Sequence, residues 1–261
     1  MLALCLVLST ALSASALLIG ERKGEAGESL RIANARQDLN GDGKADPITL
    51  ALTGEEEGYY TGYALTAGGH RIRNESFWAF WVKLEVLDLD EKDDYKEIVI
   101  SSSAENDVKT MYIYRYDGKR LKLLGALPGG RNGEKGKYVA FPGDGTVVTY
   151  QLTDILGSFD RQIRYKLDGK TGKLALIREG VYPSLGDQTA TVTRAFKAYA
   201  APTEKKAAVT LKKGEKLTRT GTDGKNWVRC STSKGETVWI KAAAEDPGSE
   251  WAYYALIDGY G

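Results

Sequence analysis

The sequence predicts an all-β protein, built as a run of repeated strand units followed by a small barrel. Short alternating segments rich in Tyr, Val, Ile and Thr recur between Gly, Asp and Asn turns, as in TMYIYRY at 110–116, TVVTYQL at 146–152 and RQIRYKL at 161–167. Stretches with helical periodicity and capping residues are scarce. The pattern also repeats along the chain until about residue 182, where it changes.

The chain opens with MLALCLVLSTALSASALLIG, which carries no charge, and Glu21, Arg22 and Lys23 follow directly. A membrane-spanning helix needs about 20 strongly apolar residues, and here Ser9, Thr10, Ser13 and Ser15 dilute the second half. Ala14-Ser15-Ala16 fits the small-x-small pattern of a signal-peptide cleavage site, although no basic segment precedes the apolar run. Residues 1–16 are therefore expected to be a signal peptide, with residues 17–27 a linker. An uncleaved anchor and a structural helix are the alternatives. Cys5 makes a poor lipid-anchor site, because Leu4 stands where a small residue is wanted. The expected location is extracellular or in the cell envelope, with no membrane span after cleavage. Cys230 is then the one cysteine left, which excludes an internal disulfide, a zinc cluster and CxxC redox chemistry.

Residues 28–182 contain the repeat. YIYRYDGKRLKL at 112–123 and IRYKLDGKTGKLAL at 163–176 each read as a strand, an Asp-Gly turn and a returning strand, a hairpin signature. GYALTAGGHRI at 62–72 is a weaker copy turning on Gly68-Gly69. Ahead of each hairpin comes an acidic or Gly-rich loop and an apolar strand: DLNGDGKADPITL at 38–50, DLDEKDDYKEIVI at 88–100 and FPGDGTVVTYQ at 141–151. The first two loops start 50 residues apart, and each reaches its turn glycine 30 residues later. Three units of that period indicate a repeat architecture.

Residues 188–241 read as a separate module of four or five short strands, with turns at Ala201-Pro202, Lys213-Gly214, Asp223-Gly224 and Lys234-Gly235. That suits a small barrel. The tail, 242–261, is aromatic and acidic, and Trp251, Tyr253 and Tyr254 are expected to pack back onto the barrel. The formal net charge of the whole chain is +1, so no overall field points to nucleic acid. Residues 187–241 nevertheless hold twelve Lys and Arg against five acids, and residues 242–261 hold four acids and no base.

The sharpest motif is the first loop. Asp38, Asn40, Asp42 and Asp46 supply side-chain oxygens at positions 1, 3, 5 and 9, Gly43 permits the bend, and Lys44 offers its backbone carbonyl. A hard cation such as Ca²⁺ takes six to eight oxygens. Thr49 stands where a helix-loop-helix site has its bidentate glutamate, so the expected site is strand-flanked. The competing reading is a polar Asn-Gly/Asp-Gly turn without metal. In the second loop Asp88, Asp90 and Asp94 are weaker candidates, because Lys92 takes position 5 and an ammonium cannot ligate. Asp93 and Glu97 could contribute if that loop bulges, and Lys92 and Lys96 could neutralise it instead. Asp144 alone remains in the third loop, so no metal is expected there.

These motifs resemble two families. The three loop-strand-hairpin units are similar to VCBS/FG-GAP repeats, the calcium-loop repeats of integrin-type and bacterial surface proteins. Residues 188–241 resemble a bacterial SH3 domain through Tyr199-Ala-Ala-Pro202, Val209-Thr-Leu211-Lys-Lys-Gly214, Asn226-Trp227-Val228 and Gly235-Glu-Thr-Val-Trp239-Ile240. Val238 departs from the glycine common before that tryptophan. The resemblance implies a short stack of propeller-blade-like repeats followed by an SH3-like barrel. Three units cannot close a propeller of four to eight blades, so an open stack is expected. It also implies a non-catalytic scaffold or adhesion role, with an anionic cell-wall polymer, peptidoglycan or a surface protein as partner and no nucleic acid. Lys205, Lys206, Lys212, Lys213 and Lys216 form the candidate ligand face, or else a solvated basic surface.

The alternative function is an envelope glycan or peptidoglycan hydrolase acting through carboxylates. Catalytic candidates are thin. His70 is the one histidine and sits in a turn, and Ser101-Ser102-Ser103 has no neighbouring histidine to activate it. In Phe77-Trp78-Ala79-Phe80-Trp81-Val82, a two-residue period places Phe77 and Trp81 on one face. That run suits core packing, with a sugar-stacking face as the alternative. Trp227 and Trp239 are expected in the barrel core.

Overall fold

The computed structural model describes residues 16–23, 30–104, 109–130, 134–186, 189–242 and 257–258. Its architecture is all-β, with several antiparallel sheets. The chain divides into two compact units, Met1–Thr149 with Arg164–Ala175, and Tyr150–Ile163 with Leu176–Gly261. Among the described residues no helix is long and apolar enough to cross a membrane.

In the first unit, strands β2 (Leu30–Gln37), β3 (Asp46–Thr53), β4 (Gly62–Ala67) and β5 (His70–Asn74) form a four-stranded sheet in chain order. The same meander is repeated by β6 (Trp81–Leu87), β7 (Glu97–Ser103), β8 (Lys109–Tyr116) and β9 (Leu121–Pro128). A third, three-stranded meander follows as β10 (Thr146–Thr153), β11 (Phe159–Asp168) and β12 (Lys173–Leu176). The three hairpins read from Gly68-Gly69, Asp117-Gly118 and Asp168-Gly169 are thus all present, because each turn pair falls between strands of complementary alternation.

Residues 17–27, expected as a linker, begin instead with a strand. β1 (Leu17–Lys23) pairs antiparallel with β6, from Leu17 opposite Val86 to Lys23 opposite Trp81. The physical reason is the edge of β6, which offers a row of backbone donors and acceptors. Ile19 packs on the core, and the Trp81 indole donates to Glu21 Oε1 at 2.7 Å. Residues 1–15, including the expected cleavage motif's Ala14-Ser15, lie outside the described residues.

β7 explains where the core lies. All seven of its residues, Glu97 to Ser103, are buried, so both faces of this central strand are covered. Leu39, Ile48, Leu50, Leu52, Leu65, Leu84, Ile98 and Ile100 have no exposed surface, each such burial stabilising by about 1.5–3 kcal/mol. Two core hydroxyls pair with each other: those of Tyr63 and Tyr114 lie 2.5 Å apart, and Asn74 donates to Tyr63 at 3.3 Å. In the aromatic run, Phe77, Ala79, Trp81 and Val82 are buried. Trp78 is 41% exposed and stacks on Tyr59 at 5.0 Å, with Phe80 edge-on to the same ring at 6.1 Å.

The compact units do not divide near residue 182, where the sequence pattern changes. The β10–β11 hairpin is shared, and its tip belongs to the second unit because Leu156 and Phe159 join the core of Val192, Leu211, Leu217, Val228 and Ile240. This unit adds β13 (Tyr182–Pro183), β14 (Thr189–Val192), β15 (Phe196–Ala198), β16 (Val209–Leu211), β17 (Lys216–Thr222), β18 (Trp227–Thr232), β19 (Thr237–Lys241) and β20 (Ile257–Asp258).

The expected closed barrel is not formed among the described residues. The strands run β19-β18-β17-β14-β20 in one sheet, with β13 also on β17, and β15-β16 make a separate ladder. Among the described residues, the bridge between Tyr199 and Trp239 joins the ladder to β19. The order ends at β19 and β20 with no ladder joining those two strands, while β17 inside it pairs β14 at Lys216–Thr218 and β13 at Gly221–Thr222. Trp239 is buried, whereas Trp227 is half-buried, edge-on to Tyr199 at 5.3 Å. Of the tail, Ile257 and Asp258 pair with Val192 and Thr191 of β14. Trp251, Tyr253, Tyr254, Glu245, Asp246 and Glu250 lie outside the described residues.

Candidate functional site

The three inter-strand loops of the repeats lie in series within the first unit. The Lys96 amide donates to the Leu39 carbonyl at 3.0 Å, joining the second loop to the first. The Glu91 amide donates to Gly143 O at 2.8 Å and Gly145 to Leu89 O at 2.7 Å, joining the third to the second. Gly41 is required at the first junction: a Cβ there would stand 2.4 Å from that of Asp94.

In the first loop, every candidate side chain braces the backbone. Asp38 accepts from the amides of Gly41 and Gly43, both at 2.9 Å. Asn40 Oδ1 accepts from Asp42 at 3.2 Å, Asp42 Oδ1 from Lys44 at 2.8 Å, and Asp46 Oδ2 from Leu39 at 3.2 Å. Gly43 takes φ 79° with open space around it, so backbone conformation alone selects glycine there. The loop carries a concentrated negative field. The Tyr116 hydroxyl is pushed up first by burial and then by Asp46, Asp42 and Asp117.

The donor set is all oxygen, the chemistry a hard cation takes. Asp38, Asn40, Asp42 and Asp46 would hold calcium by side-chain oxygens and Lys44 by its carbonyl. Among the described residues, however, no three carboxylate, His or Cys side chains are drawn to one centre. The fit is therefore one of donor chemistry and loop shape.

The second loop is organised differently. Asp88, Asp90 and Asp94 are not brought together. Asp88 is half-buried, and burial, then Asp93 and Glu91, raise its carboxyl. Asp90 Oδ1 accepts from the Lys92 amide at 3.3 Å, and Asp94 lies against Gly41. Lys96 draws the Asp88 carboxyl down by its charge, as the sequence reading allowed, but the organising cation is neither it nor Lys92. It is Arg115 on β8, whose Nε meets Glu97 Oε1 at 2.6 Å and whose Nη1 meets Asp93 Oδ2 at 2.9 Å. Its guanidinium also lies 4.7 Å from the Tyr95 ring centre. Glu97 has no exposed surface, and its other oxygen accepts from Leu89 N at 2.9 Å. Burial raises the Glu97 carboxyl to about 7, against the pull of Arg115 and the Leu89 amide.

The third loop has a smaller version of the same arrangement. Lys166 on β11 bonds Asp144 O, lies 3.3 Å from Thr146 Oγ1 and 3.6 Å from Asp144 Oδ2. Hydrogen bonding from Thr146, then Lys166, holds the Asp144 carboxyl below its usual range. A signal for both cations was present in the sequence. Arg115 and Lys166 each stand two residues before a turn aspartate, Asp117 and Asp168.

Lys205, Lys206, Lys212, Lys213 and Lys216 are all exposed. The first two lie in the connection between β15 and β16, the next two in the turn before β17, and Lys216 donates to Thr191 Oγ1 at 2.7 Å. His70 is exposed at the start of β5, its ring 5.6 Å from that of Tyr116. Ser101, Ser102 and Ser103 are buried in β7. No family model matches this chain, and neither a curated protein nor a solved structure matches it.

Proposed function

We propose that this is a non-catalytic, exported binding or scaffold protein of the cell envelope. Its repeats are blade-like VCBS/FG-GAP units with a calcium loop at Asp38–Asp46, and its second unit is an SH3-like wall-binding module. The observation that supports this most is the first loop. Asp38, Asn40, Asp42 and Asp46 surround a turn braced by their own backbone bonds, with no ion pair to Asp38, Asp42 or Asp46 among the described residues. Calcium bound there would offset two of the three carboxylate charges and stiffen the junction with the next loop.

Against the hydrolase reading stands the placement of Glu97. Its carboxyl is raised to about 7, the range of a general acid. It is fully buried and engaged by Arg115 and Leu89, out of reach of a polymer substrate.

The partner chemistry is anionic, drawn from the exposed lysines 205, 206, 212, 213 and 216. Co-sedimentation of the mature protein with purified sacculi, with and without calcium, tests the reading. Retention without turnover of the wall is expected. Because exposed charges are screened beyond about 8 Å at physiological ionic strength, retention should fall with salt and in Lys212→Glu/Lys213→Glu. Turnover of the wall would overturn the binding reading, and salt-insensitive retention of both proteins would overturn the lysine assignment.

A further inference from the structure

We infer that Arg115 and Lys166 are built-in cations, standing in the second and third loops where a metal ion would otherwise be needed, so that any divalent-cation response of the repeats is confined to the first loop. This deepens the calcium reading above and takes its meaning from it, but it rests on a different set of contacts.

The equivalence of the loops is geometric. Asp46 opens β3 and binds the Leu39 amide; Glu97 opens β7 and binds the Leu89 amide. Asp46 and Glu97 therefore perform the same task, one unit apart. In the second unit of the repeat, Glu97 pairs across the ladder with Arg115, and the guanidinium spans Glu97 and Asp93 at once. A guanidinium presents separate N–H groups in a fixed plane, so it can bridge two carboxylates as a small ion does. The Arg115 and Glu97 side chains are 15% and 0% exposed, so the pair is screened little by solvent.

In the first unit of the repeat, the β3–β4 ladder ends at Ile48 opposite Ala67, so the place facing Asp46 falls in the Gly68-Gly69 turn. It carries no charge. Arg36 approaches the loop but donates to the Ala45 carbonyl at 2.7 Å, leaving the carboxylates to the backbone amides. In the third, Lys166 takes the place of Arg115 with one carboxylate instead of two, and both partners are about half exposed. The second loop thus meets two acids with a half-buried arginine and the third meets one with a half-exposed lysine, whereas among the described residues the three aspartates of the first loop have no ion pair.

The test is thermal unfolding of the full chain in an Asp42→Ala background, which removes the first loop's calcium response, with and without millimolar calcium chloride. Arg115→Met should lower the Tm, and calcium should restore part of the loss by reaching the freed Asp93 and Glu97. Adding Asp93→Asn and Glu97→Gln should restore the Tm without calcium and abolish the calcium effect, because the two carboxylates that Arg115 engages are then uncharged. Lys166→Met should show a smaller loss. If Arg115→Met does not fold, refolding in the carboxamide background supports the inference and continued failure overturns it. An equal Tm loss in both backgrounds, with calcium inert, would make Arg115 a packing residue only and overturn it. Absence of a calcium response in the unmodified chain would instead remove the first-loop reading, leaving the comparison of backgrounds to decide Arg115.

Discussion

Leu39 and Leu89 hold the same position in successive repeats. Each is fully buried, and its amide is bound by the carboxylate that opens the following strand, Asp46 at 3.2 Å and Glu97 at 2.9 Å. The apolar side chain anchors the loop in the core while the amide fixes where the strand starts. Leu39→Ala and Leu89→Ala should each cost about 2–5 kcal/mol, the range for a buried leucine that leaves a cavity. Urea denaturation checks this, and a loss below about 1 kcal/mol would show that the loops are not anchored through these side chains.

Glu97 makes stability depend on pH in a defined direction. Its carboxyl is raised from 4.5 in the unfolded chain to about 7 in the folded one. The folded state therefore holds the proton more tightly between those values. Its contribution is fully present below about 4.5 and is lost as pH rises through about 7, by a few kcal/mol at most. Glu97→Gln should remove this slope, seen as the difference between wild-type and variant stability curves. Parallel curves from pH 4 to pH 8 would contradict it.

Calcium should raise the stability of the unmodified chain modestly. With the weak affinity of extracellular modules, about 10⁻⁴ to 10⁻³ M, millimolar calcium contributes about 0.4–1.4 kcal/mol by mass action. Asp42→Ala should abolish that gain in a melting experiment. An equal rise in both proteins would place the ion elsewhere.

Cys230 should be inert in the folded protein. It is fully buried in the core with Val228, Leu217 and Ile240, and burial pushes its thiol up to about 12. Since the thiolate is the reactive form, a thiol reagent should modify Cys230 only as the second unit unfolds. Rapid labelling under native conditions would show that this core opens locally.

Cleavage after Ala16 would leave β1 intact, because the strand begins at Leu17. N-terminal sequencing of exported protein should find Leu17 first, and deletion of Leu17–Lys23 should destabilise the sheet by uncovering the edge of β6. An intact Met1 would exclude the cleavage, and unchanged stability after the deletion would show β1 to be dispensable.

The sequence by itself determined the strands and most of their turns. Alternation is a local property, and pairs such as Asp117-Gly118 and Gly68-Gly69 specify a reversal through the conformations they allow. It also displayed the oxygen-rich spacing of Asp38, Asn40, Asp42 and Asp46, since nine consecutive residues contain the whole loop. What only the tertiary structure decided are the pairings between distant segments. β1 adds to β6 because that edge is open, not because LLIGERK differs clearly from a linker. Leu156 and Phe159 join the second core although they precede residue 182. Arg115 meets Asp93 and Glu97 because the register of β7 against β8 sets Arg115 opposite Glu97, 18 residues away. Barrel closure likewise depended on whether the end strands β19 and β20 found a partner, and among the described residues no ladder joins them. A local pattern can state which residues face inward, but which charge they meet there follows from register, and register is fixed by the packing of the whole sheet.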